Sequence, residues 1–182
     1  PNEMTADFII DSEWHSLDFQ TENQHATIDL LSDAPLFESL SLRELHTLER
    51  LVHLRHFHVG ETILRAGQPR SGMYIIQSGS ARVVRPQSDG TTQQIGHLDT
   101  GALIGEFSLL DSTARSSAIQ AAEHSTLIGF FRPDLMGLIQ TDPKIGFKIL
   151  YRLSQMMADQ FRRDMQQLRA LQKQRRKHNG ST

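Results

Sequence analysis

The stretch GEFSLLDSTARSSA, residues 105–118, has an acidic side chain near its start and a basic side chain near its end, with mostly small or apolar residues between them. Glu106 follows a glycine, Gly105, and Arg115 comes nine positions later. If residues 106–110 form one helical turn entered from a strand, the first N–H groups of that turn lack internal partners and can bind an anion. Gly105 lets the backbone approach a ligand closely. The stretch therefore predicts an anion-binding turn.

The side chains around this turn indicate what the anion is. Arg115 would face the turn, and its guanidinium fork matches two phosphate oxygens. Ser116 and Ser117 add hydroxyl donors, and Ser108 lies inside the turn. Glu106 would repel a phosphate, so we expect it to accept a hydrogen bond from another part of the ligand, such as a sugar hydroxyl. Phosphate and ribose in one pocket indicate a nucleotide. The single arginine of the stretch suits a ligand with one negative charge. The alternative is an ion pair that only holds a turn.

The segments on both sides of this stretch have the period of an antiparallel β structure. From Leu54 to Phe131, short apolar runs alternate with turn residues. Many short strands at regular spacing predict a sandwich or barrel. Ser88-Asp89-Gly90 separates two strand-like runs and is a hairpin candidate.

Helices are predicted before and after the strands. Ser41 and Glu44 fit a capping box, which opens an amphipathic helix of about three turns. The leucines expected on one face of that helix are Leu42, Leu45, Leu48 and Leu51. A shorter helix is expected near Ala26–Leu31.

The chain returns to a helical period after Phe131. Arg132-Pro133-Asp134 opens a short helix, and Asp142-Pro143 opens a long one without a breaker before Asn179-Gly180. One face of the long helix is predicted to carry Leu153, Met157, Phe161, Met165, Leu168 and Leu171. We expect its first part to pack on the barrel and the remainder to pair with a second copy in a two-fold homodimer.

Composition restricts the class of protein. The 182 residues contain no cysteine, which excludes disulfides and thiol chemistry. No apolar run approaches the roughly 18–20 residues of a membrane span, and no secretory signal is evident, so we expect a cytoplasmic protein without membrane contact. Residues 1–50 hold eleven acidic side chains against two arginines, whereas residues 162–178 hold seven basic side chains against one aspartate. We interpret the basic end as a solvated helix face rather than a nucleic-acid site.

Neither metal binding nor catalysis is predicted. His53, His56 and His58 lie close in sequence, but no second ligand pair has suitable spacing, so a half-exposed strand or loop is expected. Ser108 has no histidine placed in the sequence to suggest a catalytic triad. We therefore expect no catalytic residue, no metal and no cofactor other than the ligand itself.

The same stretch resembles a known family. Its form of Gly-Glu, apolar residues, a short turn and Arg followed by small residues is similar to the phosphate-binding cassette of cyclic nucleotide-binding domains. Three segments resemble the catabolite activator branch of that family. They are SGSARVV (78–84), GALIGE (101–106) and FRPDLMGLIQTDPKIGFKILYRLSQMMADQ (131–160). The resemblance covers about residues 36–168. It implies an α+β fold, an antiparallel β-roll or jelly-roll barrel flanked by an N-terminal helix and a long C-terminal helix.

The resemblance also implies roles for individual residues. Gly105 and Phe107 would offer backbone contacts near the phosphate and ribose, and Glu106 would take the ribose 2′-hydroxyl. Arg115 and Ser116 would take the cyclic phosphate. The residues implied to line the pocket wall are Val83, Ile95, Leu103 and Ile104. The long helix would cap the base, and its residues nearest the base would be Arg163, Asp164 and Gln167.

The implied organisation has four parts. They are a polar N-terminal arm (1–34), the β-roll with its flanking helices (35–145), a lid and dimerisation helix (146–178) and a disordered tail (179–182). Only about ten residues follow Leu171, too few for the helix-turn-helix of the activators, so direct DNA binding is not expected.

The predicted function is that of a regulatory sensor for a 3′,5′-cyclic nucleotide. Cyclic AMP is favoured over cyclic GMP because the resemblance is to the activator branch, although Ser116 occurs with either base. Movement of the C-terminal helix would signal to an effector protein of unknown identity. The alternatives are a truncated cyclic AMP-responsive transcription regulator and a degenerate domain that acts as a protein-interaction module.

Overall fold

The computed structural model describes residues 26–69, 72–111 and 116–179 as two antiparallel sheets with helices packed beside them. The helices are α1 (residues 26–33), α2 (Leu42–Glu49), α3 (Arg132–Thr141) and α4 (Pro143–Asn179), with a 3-10 helix, η1, at Glu106–Leu109. The strands are β1 (His53–Phe57), β2 (Thr62–Leu64), β3 (Gly72–Ser78), β4 (Ala81–Pro86), β5 (Thr92–Leu98), β6 (Leu103–Ile104), β7 (Ala118–Ala121) and β8 (Ser125–Phe131).

The two sheets have four strands each, in the orders β1-β8-β3-β6 and β2-β7-β4-β5, and every described pairing is antiparallel. The predicted hairpin connects β4 and β5, where the Thr91 N–H donates to Asp89 Oδ1 at 2.9 Å. The fold class predicted from the sequence, an antiparallel β-roll flanked by helices, is confirmed.

Two apolar cores hold the fold together. The core between the sheets contains Ile63, Ile76, Ala81, Ile104, Ile119, Ala121 and Leu127. A larger core, which we call the helical core, lies where the helices pack on β3 and β8, and includes Ile28, Leu31, Phe37, Leu45, Leu48, Met73, Ile75, Leu109, Phe130, Leu135, Leu138, Ile145, Ile149 and Leu153. Successive residues of β3 alternate between these cores, because side chains on a strand point to opposite faces.

The segment before the strands is more firmly packed than its composition suggested. Ile28 and Leu31 of α1 are buried in the helical core, so residues 26–34, assigned to the polar arm, take part in the packing. Residues 1–25 lie outside the described part of the chain. The predicted capping box of α2 is confirmed, with Ser41 N–H donating to Glu44 Oε2 at 2.8 Å. Leu42 was expected on the buried face of α2 but is 63% exposed, because only the face of Leu45 and Leu48 meets the core.

The long predicted helix is present as α4, a helix of 37 residues. Ile145, Ile149 and Leu153 are buried against α3 and the rest of the helical core. Beyond Leu153, Met156 and Met165 are half-buried, and the larger apolar side chains are exposed, as Phe161 (67%) and Leu171 (63%) illustrate. Among the described residues, no helix combines the length and hydropathy needed to cross a bilayer.

Two basic side chains fasten the first half of α4 to the segment around α2. Lys148 Nζ lies 2.7 Å from Glu44 Oε2 and donates to the Ser39 carbonyl at 3.1 Å. Arg152 Nε lies 3.0 Å from Glu38 Oε1 and also donates to the Pro35 carbonyl. Glu44 therefore serves α2 as a cap and α4 as an ion-pair partner.

We predict that Glu44→Gln destabilises the fold at neutral pH and has little effect in strong acid. The hydrogen bond from Lys148 is the main cause that lowers the pKa of Glu44 from 4.5 to about 2. Since the folded-state pKa is the lower one, the contribution of Glu44 to the free energy of unfolding is present above pH 4.5 and is lost as the pH falls towards 2. Urea unfolding of both proteins across this range measures the difference. Glu38→Gln, at a more exposed ion pair, is the control. An unchanged pH dependence in Glu44→Gln would contradict the assignment.

Candidate functional site

The stretch at 105–111 forms a tight turn between β6 and the helical core. Strand β6 pairs with β3 through Ile104 and Leu103, and Gly105 follows in the left-handed conformation with φ of 76°. That conformation is costly for a residue with a side chain, which explains the glycine. The predicted helical turn is confirmed as η1, which begins at Glu106.

Hydrogen bonds within the turn make it compact. Ser108 N–H donates to the Gly105 carbonyl at 2.9 Å, and the N–H groups of Leu110 and Asp111 both donate to the Phe107 carbonyl, at 3.1 and 3.0 Å. Ser108 is buried and Leu109 is fully buried in the helical core. Glu106 is half-buried at the start of the turn. Glu106 therefore lies in a backbone segment that is held by these hydrogen bonds and by the burial of Leu109.

Arg132, the first residue of α3, binds the far end of this turn. Its Nε donates to the Leu109 carbonyl at 3.1 Å, and its Nη2 donates to the Ser108 carbonyl at 2.9 Å. Sequence reasoning did not single out Arg132. A usable signal was its position, since a cation in the first turn of a helix is electrostatically unfavourable and needs a partner elsewhere.

The implied wall residues divide between two faces of the β-roll. Ile104 is buried in the core between the sheets, whereas Leu103 packs against the helical core. Leu103 and Ile104 are neighbours on one strand, so only Ile104 faces the space between the sheets. Val83 is half-buried on β4 opposite Gly96, and Ile95 on β5 is 42% exposed.

A cavity of about 260 Å³ opens beside the turn. Gly105 lies against it, because a Cβ on this residue would be 3.4 Å from the Gly72 carbonyl and 3.8 Å from Leu64 Cδ1, and both residues line the cavity. The remaining lining residues are Thr62, Ile63, Arg65, Gln68, Pro69, Tyr74 and Phe131. No motif singles these residues out, since their pattern is that of ordinary strand and loop residues.

The end of the stretch that carries Arg115 is only partly described. Arg115 lies outside the described residues, so its expected position opposite Glu106 is not part of the geometry above. Ser116 is exposed and Ser117 is half-buried just before β7. Strand β7 pairs with β4 through Ile119 and Val83, which brings this end of the stretch next to the expected pocket wall.

The three residues implied to meet the base lie on the exposed half of α4. Arg163 Nη2 donates to Gln160 Oε1, and Gln160 Nε2 donates to Asp164 Oδ1, both at 2.8 Å. Gln167 is exposed on the same part of the helix. These hydrogen bonds run along α4, and the part of α4 that packs against the helical core lies earlier, up to Met156.

The histidines noted in the sequence have separate partners. His53 Nε2 is 3.3 Å from Asp134 Oδ2, His56 Nδ1 is 3.1 Å from Thr126 Oγ1, and His58 Nδ1 is 3.4 Å from His124 Nδ1. Within the described ranges, no group of three or more His, Asp or Glu side chains could hold a metal ion.

Residues 54–142 match the cyclic nucleotide-binding domain family. The cyclic AMP receptor protein of Thermus thermophilus is 28% identical over 129 residues, which are 71% of this chain and 60% of that protein. The chain therefore spans less than two thirds of that relative's length.

Two solved structures have a fold similar to that of this chain. The catabolite activator protein of Thermus thermophilus has a TM-score of 0.65 and 29% identity, and the match covers 76% of this chain and 63% of that one. A cyclic nucleotide-binding domain from Methylobacillus flagellatus has a TM-score of 0.66 and 25% identity over 80% of this chain and 82% of that one.

Residues 54–142 thus match a cyclic nucleotide-binding domain, which confirms the resemblance indicated by residues 105–118. Catabolite activator proteins are among its homologues, and no helix-turn-helix is present in the described residues.

We predict that Gly105→Ala lowers the free energy of unfolding by about 1 kcal/mol, because alanine is strained at positive φ. The matched control is Gly137→Ala in the middle of α3, where an added Cβ meets nothing within 4 Å. That substitution should raise stability by about 0.5–1 kcal/mol, since glycine inside a helix is unfavourable. Chemical denaturation of the three proteins tests both signs. Equal shifts in the same direction would contradict the role assigned to the left-handed turn.

Proposed function

We propose that the chain is a regulatory module that binds a 3′,5′-cyclic nucleotide, with cyclic AMP favoured over cyclic GMP. The observation that carries the proposal is the turn at 105–111, in which a left-handed glycine, Gly105, lies against a cavity and leads into a 3-10 helix that begins at Glu106. The family match over residues 54–142 supports the ligand class. The similarity to a cyclic AMP receptor protein supports the choice of base.

The proposed roles divide the ligand between two charged side chains. Glu106 accepts from the ribose 2′-hydroxyl, and Arg115 with Ser116 binds the cyclic phosphate. Gly105 and Phe107 contribute backbone contacts, and Ser108 and Ser117 complete the polar lining. The apolar wall is formed by Val83, Ile95 and Ile104, and the base is directed towards α4 at Arg163, Asp164 and Gln167.

The proposed output is movement of α4. Phe107 and Leu109 of the turn pack in the same core as Ile149 and Leu153 of α4. A ligand that changes the position of the turn therefore changes the packing beneath the helix. Ligand binding would shift the population of two α4 positions, and a partner protein would recognise one of them.

The proposed assembly is a homodimer through the second half of α4. Phe161, Leu168 and Leu171 are each about half exposed or more, and Met165 lies among them. An exposed apolar stripe on a helix of this length is stabilised when a second helix covers it. A two-fold seam needs only a second copy of the same chain.

We predict that Arg115→Ala weakens cyclic AMP binding by about 2–5 kcal/mol, because it removes the charged partner of the phosphate. Isothermal titration calorimetry with cyclic AMP and cyclic GMP measures the change and the base preference together. Glu106→Gln should weaken binding of the cyclic nucleotide less than Arg115→Ala, since a neutral amide oxygen still accepts from the ribose hydroxyl.

Arg43→Ala is the control, because Arg43 is an exposed arginine on α2, away from the turn. Its affinity for the nucleotide should equal that of the wild type. Wild-type affinity in Arg115→Ala would overturn the proposed site. Folded wild-type protein that gives no heat with either nucleotide would favour the protein-interaction module instead. The truncated-regulator alternative shares the site and differs only in what the complete chain carries.

We predict that Leu168→Lys shifts the protein from dimer to monomer, because a charge in an apolar helix seam is costly to bury. Sedimentation velocity across a concentration series gives the association constant of both proteins. Gln166→Lys, two positions away and exposed, adds the same charge and should leave the dimer intact. A monomeric wild type at high concentration would contradict the proposed seam.

A further inference from the structure

Arg132 connects the turn at 105–111 with the start of α3. Its side chain is half-buried and reaches two successive carbonyls of the turn, those of Ser108 and Leu109, through two different nitrogens. The guanidinium is planar and presents its donors in a fixed fork, so two bonds of this kind define an orientation and not merely a distance.

The position of these carbonyls makes the contact specific to the turn. The N–H groups of Leu110 and Asp111 both donate to the Phe107 carbonyl. The next two carbonyls along the chain, at Ser108 and Leu109, receive the guanidinium. Gly105 fixes the start of the turn and Arg132 fixes its end.

The contact between the turn and α3 also has an apolar part, which constrains the orientation of the turn less than the two hydrogen bonds of Arg132 do. Leu109 packs with Leu135 and Leu138 of α3 in the helical core. Apolar contacts are non-directional and allow one surface to slide over another, whereas hydrogen bonds lose strength when their angles change. If η1 rotates, the two bonds must either break or turn α3 with it.

The start of α3 is rigid enough to transmit such a turn. Asp134 Oδ2 accepts from the Phe131 N–H at 2.9 Å, and the Asp134 carboxylate also lies 3.3 Å from His53 Nε2. The buried residues of α3 share the core with Ile145 and Ile149 of α4. A displacement at Arg132 therefore reaches α4 through packed side chains.

We propose that Arg132 is a positioning residue that couples the state of the ligand-binding turn to α3 and, through α3, to α4. This inference rests on the proposed function, since it concerns the regulation of the same site. Arg132 does not touch the nucleotide in this proposal. It converts a change in the turn into a change in the orientation of the helices.

The test compares Arg132→Gln and Arg132→Lys with the wild type by hydrogen exchange, with and without cyclic AMP, and by calorimetry with cyclic AMP. Without nucleotide, Arg132→Gln should speed amide exchange in residues 106–111, while Arg132→Lys, which can hold one carbonyl, should give an intermediate rate. With saturating nucleotide, the wild type should show altered exchange in both the turn and α4. Arg132→Gln should bind about tenfold more weakly and lose the change in α4 while keeping the change in the turn.

Arg152→Gln is the matched control. Arg152 is also a partly buried arginine that binds a backbone carbonyl, that of Pro35, but it anchors α4 without touching the turn. This variant should loosen α4 without abolishing its response to nucleotide. A general effect of losing a half-buried arginine would appear in both variants, whereas coupling through the turn would be lost only in Arg132→Gln.

The outcomes separate the inference from the proposed function. A ligand-linked change in α4 that persists in Arg132→Gln overturns the coupling role and leaves nucleotide binding intact. A wild type that binds no nucleotide overturns the proposed function, and the coupling role with it. Loss of the α4 response in Arg132→Gln, its partial recovery in Arg132→Lys and its retention in Arg152→Gln support the inference.

Discussion

The helical core is the constraint on which the rest of this structure depends. Leu109 of the turn at 105–111 and Leu153 of α4 are both fully buried in it. Close-packed side chains resist small changes in volume, so the turn and the helix cannot move independently of each other. The β-roll positions the turn at 105–111, and this shared core connects the turn with α4.

Much of the fold could be predicted because its signals are local. The capping box at Ser41 and Glu44, the turn at Asp89 and the helix starts at Arg132-Pro133 and Pro143 each depend on neighbouring residues only. The turn at Gly105 was predictable for the same reason, since one glycine and the residues after it define it.

The remaining features depend on tertiary contacts, which periodicity does not encode. Leu42 fits the apolar face of α2 but is exposed, and Leu31, in a segment expected to form a polar arm, is fully buried. Leu103 was grouped with Ile104, although alternation along β6 sends the two side chains to different cores. The contacts of Arg132 with Ser108 and Leu109 join positions far apart in the chain and left only an electrostatic signal.

The way α4 is attached has a mechanical consequence. Lys148 and Arg152 fasten only its first half, and its last buried residue in the helical core is Leu153. The helix continues for about 26 residues beyond that point, which at 1.5 Å per residue is roughly 39 Å. A tilt of about 10° at the anchored base would displace the far end by roughly 7 Å on this geometry. A rearrangement of side-chain size at the packed base of α4 would therefore be amplified along the helix in proportion to the distance from Leu153.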